Sequence, residues 1–446
     1  MFADQRGADE EIHIPLFEEP GIVAGLMSIM REDGEEARAT AFITVARMAR
    51  AVANGVEFVK VEGLLDTLTS AVASETGEAR ANAAIALMNL ALSSVDNEKV
   101  MCDHPGLLSA LTSAVSSSGG ARANAAGALR NLTVAETNKK VMCDHPGLLS
   151  ALVSTVAEDT GEARANAAGA LWNLAYGETN KKVMCDHPDL LSALVSAVAE
   201  DKGEARTKAA GALGNLAVGN ARNKEVVCDH PGLLSALVGT VAEDTGEART
   251  KAAGALWSFA IGNARKKVMC DHPGLLSALV STVAEDKGEA RTKAAGALGS
   301  LAIGETNKKV MCDHPGLLSA LVSIVAEDSG KERASAVRSL SHLAASMANA
   351  AALLAADLVP TMMGIVREAG PDLSKTETTD SAESWALTFL VNIAQADAAV
   401  PVLRVAKIYD LLAPLAVQDE YQALKAAATL SFVEGGDESG ESAANR

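Results

Sequence analysis

The sequence predicts an all-α fold, a right-handed solenoid of about ten three-helix repeats of about 42 residues. Three observations lead there. The string Cys-Asp-His-Pro begins at Cys102, Cys143, Cys185, Cys228, Cys270 and Cys312, spaced by 41, 42, 43, 42 and 42 residues. The apolar residues between these strings recur at helical spacing. Hydrophobic residues make up 48% of the chain but aromatics only 3%, so the apolar content is mainly Ala, Leu and Val. Ala and Leu favour helix, and small side chains let helices pack closely.

The repeat sets the boundaries. The copies CDHPGLLSALVSTVAED from Cys143 and from Cys270 are identical. Weaker copies in the same phase start at Pro20 and Val61, and at Leu358 and Ile408. Units are expected near 20–60, 61–100, 101–142, 143–184, 185–226, 227–268, 269–310, 311–356, 357–406 and 407–433. They follow an N-terminal segment, 1–19, and precede an acidic tail, 434–446, whose composition predicts disorder. The outer copies diverge, as caps facing water should.

Within a unit, Thr179, Asn180 and Lys181 open a short helix that stops near Asp186. Pro188 suits the first turn of a second helix. In the sister copy that helix carries Leu149, Leu152, Val153 and Val156 at i, i+3, i+4, i+7. Asp159 and Glu162 have capping-box spacing and predict the start of a third helix. Ala163, Ala167, Ala170, Leu171 and Leu174 continue its period, and Gly177 is read as its stop. Gly127, Gly169, Gly211, Gly254 and Gly296 fall inside the third helices, where each costs about 1 kcal/mol relative to Ala. Two readings stay open: close approach of stacked helices, or neutral choices copied by duplication. The segment Ala369–Asp380 is read as a flexible, phosphorylatable loop.

Formal net charge is −18, from 57 acidic and 39 basic side chains, which disfavours nucleic acid as the main partner. No window approaches the length of a membrane span, and Met1–Glu11 is acidic with no apolar run of the kind a signal peptide needs. Single cysteines, one per repeat, predict free thiols and a reducing compartment, cytosol or nucleus. Catalytic motifs are missing: no phosphate-binding loop, no zinc-protease helix, no nucleophile elbow. A metal reading of Cys-Asp-His fails on distance. Equivalent positions in stacked layers lie about 8–10 Å apart, whereas zinc ligands sit at about 2.0–2.3 Å. Cys is read instead as core, with Asp or His as caps. No cofactor, no metal and no enzymatic activity are expected.

The repeat resembles the armadillo family, that of beta-catenin, plakoglobin and importin alpha. NKKVMCDHPGLLSALV is followed by EARANAAGALWNLA, and the endings IALMNLA, GALRNLT and GALGNLA match the family's third helix over roughly residues 20–433. The resemblance implies a groove lined by third helices, in which a ladder of Asn grips the main chain of an extended peptide. By position the ladder is Asn89, Asn131, Asn173 and Asn215, with Ser258, Ser300 and His342 replacing Asn and Asn392 restoring it. The Trp that importin alpha places four residues before the Asn is absent, as is its basic N-terminal segment, so an import adaptor is not expected.

Seven residues before the ladder, on the same helix face, stand Asn82, Asn124 and Asn166, then Lys208, Lys251 and Lys293. If the ladder faces the groove, this row offers amides first and ammonium groups later, which suits an extended ligand with an acidic segment. Alternatively these lysines are solvated positions paired with Glu204, Glu247 and Glu289 at i, i+4. Arg130, Trp172 and Trp257, one residue before the ladder, are either binding anchors or inter-repeat core. The paired acids around Glu158–Asp159 and the paired lysines around Lys139–Lys140 form charged rims. The expected function is a protein-binding scaffold; the alternative is a structural part of a cytoskeletal or axonemal assembly.

Overall fold

Each His-Pro-Gly-Leu string closes a turn before a helix. In His145-Pro146-Gly147-Leu148 the Leu148 amide donates to the His145 carbonyl at 3.2 Å, and Gly147 sits at φ 77°, ψ −10°. That is type II geometry, with Pro at the second position and a left-handed residue at the third. Pro188 therefore lies in the turn and not in the first turn of the helix, which runs Leu190–Glu200. Its third turn residue is Asp189, at φ 58°. A side chain in the left-handed region carries a steric penalty that Gly avoids. Asp189→Gly should stabilise the protein by about 0.5–1 kcal/mol, seen as a higher urea midpoint.

A computed structural model of the chain describes residues 13–219, 221–262, 265–368, 381–416, 428–431 and 433. The described residues are helices and turns, with no strand. The segment Ala369–Asp380, the tail and the first twelve residues lie outside the described set. The chain packs as two compact units, Met1–Ala236 and Leu237–Arg446.

In the first unit, each layer has a short first helix, a second of 10–11 residues and a longer third. The third helices are Glu35–Met48, Gly77–Ser93, Gly120–Leu132, Gly161–Leu174 and Glu204–Leu216. The second unit has Gly246–Ala260, Glu289–Ala302, Gly330–Ala344 and Ala382–Ala394 as its third helices. The apolar stripe of the second helix is buried as its spacing demands: Leu149, Leu152, Val153 and Val156 all lie in the core. Buried Ala residues such as Ala167, Ala168 and Ala170 keep third helices close.

Layers are tied by polar contacts of fixed sequence offset. Within each unit, the Arg of a Glu-Ala-Arg run reaches the residue that ends the next layer's second helix, as four of them show. Arg164 meets Asp201 at 2.6 Å, Arg249 meets Asp286 at 2.8 Å, and Arg38 meets Glu75 at 2.7 Å. Asp159 has this role too, paired with Arg122 at 2.5 Å. The expected capping box is therefore absent: Thr160 caps the third helix without a side-chain hydrogen bond. Gly177 likewise caps the following helix at φ −69° and does not stop the previous one in left-handed geometry.

A second tie is the Asn of each first helix. Asn180 is buried, and its Nδ2 donates to the carbonyls of Lys139 at 2.9 Å and Leu174 at 3.2 Å. Asn138 and Asn307 make the equivalent pairs of bonds. The Cys-Asp-His string divides its duties. The thiols of Cys102, Cys143, Cys185 and Cys270 are buried, and burial pushes them up to about 11 from an ordinary 9.0, so they stay protonated at neutral pH. Asp144 and Asp186 pair with the lysines four residues back. His145, His187 and His314 reach a Ser of the preceding second helix at 3.1–3.2 Å.

Candidate binding face of the third helices

The ladder asparagines do something the resemblance did not imply. Asn89, Asn131 and Asn173 each donate the amide nitrogen to the third helix of the preceding layer. Asn89 reaches the Ala46 carbonyl at 2.7 Å, Asn131 that of Met88 at 2.9 Å, and Asn173 that of Arg130 at 3.2 Å. The residues seven back form parallel rungs: Asn82 to Ala39 at 2.9 Å, Asn124 to Ala81 at 3.3 Å, Asn166 to Ala123 at 3.0 Å. In the second unit Asn392 bonds to the Ser341 carbonyl at 2.9 Å. Two amide rungs per interface tie neighbouring third helices together through main-chain carbonyls. The Asn215 nitrogen is buried with no hydrogen-bond partner. Ser258 folds back on the Gly254 carbonyl of its own helix. A guest chain on this face meets asparagines with one amide hydrogen held by the preceding layer, which leaves the Oδ1 and the second N–H to offer.

The residues before the ladder explain the mid-helix glycines. A Cβ on Gly169 would lie 2.7 Å from Cδ of Arg130, one on Gly127 2.6 Å from Sδ of Met88, and one on Gly211 2.9 Å from Nε1 of Trp172. In the second unit a Cβ on Gly296 would lie 2.8 Å from Cε2 of Trp257. Each long side chain lies flat on the glycine of the next layer. Close approach, and not duplication alone, accounts for these four; Gly254, where the nearest atom is 3.8 Å away, has no such tenant.

These tiles gather charge. In the first unit Glu204 receives Arg130 at 3.3 Å and Lys208 at 4.0 Å, and the Lys208 ammonium sits 4.7 Å from the Trp172 ring centre. In the second, Lys293 lies 3.6 Å from Glu289 and 5.2 Å from the Trp257 ring centre, with the Arg338 guanidinium 5.9 Å from the same ring. The Trp257 indole donates to Ser300, which is buried. Lys251 pairs with Glu247 at 4.0 Å. The i, i+4 pairing and the aromatic contact thus coexist. Arg130, Trp172 and Trp257 are half-buried, between core and surface. His342 meets Trp385 edge to face at 5.1 Å between centres.

The charged rims are weaker than composition implied. Lys139, Lys181 and Lys308 tuck against Glu136, Glu178 and Glu305, while Lys140, Lys182, Lys267 and Lys309 pair with the following Asp. Among the described residues no group of three or more His, Cys, Asp or Glu is placed to hold a metal ion, and no single helix is long and apolar enough to cross a membrane.

No family model and no curated protein sequence matches the chain. Solved structures do. An engineered protein solved by crystallography superposes with TM-score 0.81 at 24% identity, covering 92% of this chain and 98% of that one. A chain from work on a conserved phosphorylation switch controlling the interaction between cadherin and beta-catenin superposes with TM-score 0.74 at 17% identity, covering 95% of this chain and 85% of that one. The fold is an all-α armadillo-type solenoid.

Proposed function

We propose that the protein is a non-catalytic scaffold that binds an extended segment of another protein, partly acidic, along the third-helix face. The observation that carries the reading is an indole with an ammonium over its ring in each unit. Lys208 lies over Trp172 and shares the Glu204 carboxylate with Arg130, and Lys293, paired with Glu289, lies over Trp257. In a chain of net charge −18, these sites combine an apolar plate with a cation. An acidic guest would take over the cation's pairing while an apolar side chain covers the ring. The armadillo-type fold, shared with the structure concerned with cadherin and beta-catenin, supports a protein partner.

The test uses a twelve-residue peptide alternating Asp or Glu with Leu or Phe, titrated by fluorescence anisotropy. Lys208→Glu and Lys293→Glu should each weaken binding at least tenfold, and Trp172→Ala similarly. Unchanged binding in all three, or tighter binding of a Lys-for-acid peptide, rules the reading out.

A further inference from the structure

A second surface of the first unit differs in chemistry from the third-helix face. Three residues after each ladder position stands a large exposed apolar side chain: Leu92, Val134, Tyr176 and Val218, exposed by 57, 56, 54 and 47%. They recur at one phase in four successive layers. An aliphatic or aromatic residue half in water at a single position is ordinary, but a phased row is a strip. Its backbone is pinned. The Val218 carbonyl accepts from the buried Lys181 ammonium at 3.0 Å, and the Ala135 amide, next to Val134, donates to the buried Glu98 carboxylate at 2.6 Å. The amides of Val134, Tyr176 and Val218 close turns onto Asn131, Asn173 and Asn215. A cavity of about 230 Å³ opens where the strip starts, lined by Leu92 with Arg50, Met88 and Asn89 among others.

We infer that this strip docks an amphipathic helix of a partner protein, with one aliphatic residue in seven on its contact stripe and Lys or Arg beside it. Three features select that occupant. With the amides of Val134, Tyr176 and Val218 and the Val218 carbonyl already bonded, the strip has few donors to give the main chain of an extended guest, whereas a helix satisfies its own. Seven helical residues rise about 10.5 Å, close to the separation of about 8–10 Å between packed helices, so heptad spacing delivers one apolar side chain per layer. The outermost charges beside Val134 and Tyr176 are carboxylates, each paired with a lysine beneath it, and the Lys139 ammonium lies 5.6 Å from the Tyr176 ring centre. Glu136 and Glu178 follow Val134 and Tyr176 by two residues, and their side chains are 75 and 70% exposed while their lysine partners are buried. Glu178 also leans towards the residue after Val218: a Cβ on Gly219 would meet its Oε2 at 2.8 Å.

The inference stands apart from the third-helix reading. The probe is a four-heptad peptide with Leu at the first position of each heptad, Ala at the fourth and Lys or Arg on the flanks. It is titrated into the full chain by anisotropy. Saturable binding is expected, at least tenfold weaker for the triple variant Leu92→Ser, Val134→Ser, Val218→Ser, whose melting curve should match the parent because these three side chains are about half exposed; Tyr176 is kept because its ring lies 6.2 Å from that of Trp172 and 5.6 Å from the Lys139 ammonium. Glu136→Gln with Glu178→Gln should weaken it several-fold and flatten its salt dependence. The same peptide carrying two central prolines should not bind. Lys208→Glu and Lys293→Glu should leave helix binding unchanged, which separates failure here from failure of the third-helix reading. Absence of saturable binding at millimolar peptide overturns the inference, as does equal binding by the serine variant or the proline peptide. So would sedimentation showing self-association that the serine variant abolishes, since the occupant would then be a second copy.

Discussion

Asn180→Ala should lower stability by about 2–4 kcal/mol, a large loss for an exchange of one polar side chain. The amide nitrogen bonds to two carbonyls at once, Lys139 in the preceding first helix and Leu174 at the end of the preceding third helix. Both bonds are buried, so water cannot replace the lost donor. Each carbonyl then bears a desolvation penalty of about 1–3 kcal/mol, partly relieved by relaxation. The loss should also be local. In a repeat array, stability is a sum of layer terms and interface terms, and weakening one interface lets the chain part there. Urea unfolding should become broader or biphasic, and amide exchange should quicken in Glu178–Asp186 and the flanking layers before the rest. The control is Lys182→Ala, whose side chain is 68% exposed and pairs only with Asp186; it should change stability by no more than about 0.5 kcal/mol. A single sharp transition with the parent midpoint in Asn180→Ala would show that the double bond does not hold the layers together.

How far the sequence revealed this depends on the range over which each signal acts. The second-helix stripe of Leu149, Leu152, Val153 and Val156 was legible because it arises within one helix, and all four are buried. The third-helix period through Ala167, Leu171 and Leu174 was legible for the same reason. The box spacing from Asp159 to Glu162 looks the same whether or not the cap forms; the competing partner, Arg122, lies 37 residues earlier. From the sequence the first-helix Asn reads only as a helix opener, since its acceptors belong to other helices. The exposed row of Val134, Tyr176 and Val218 was missed because an apolar residue continuing the third-helix period reads as core. Those helices in fact end at Leu132, Leu174 and Leu216, and the next apolar position falls past the end, in water. The lysines at Lys208 and Lys293 were legible as charge, but the indole beneath each belongs to the preceding layer.

The glycine beneath an indole gives the second large effect. Gly296→Val should cost about 2–3 kcal/mol through overpacking, although valine is a slightly better helix former than glycine. The built Cβ already lies 2.8 Å from Cε2 and 2.9 Å from Cδ2 of Trp257, before the two methyl groups are added. The indole cannot slide freely, because its Nε1 is bonded to Ser300 at 3.2 Å and Lys293 stands over the ring. Gly254→Ala is the opposite case: nothing lies nearer than 3.8 Å, so alanine should stabilise by about 0.5–1 kcal/mol through helix propensity alone. Trp257→Ala in the Gly296→Val background should recover much of the loss, with a coupling energy of about 1–3 kcal/mol in a double-mutant cycle measured by urea unfolding. Near-additive effects, or a Gly296→Val protein as stable as Gly254→Ala, would mean the ring is not seated on the glycine. The same substitution should act on binding as well as on stability. Pushed off its glycine, Trp257 loses its alignment with Lys293, and the acidic peptide should bind the second unit more weakly even where the variant remains folded.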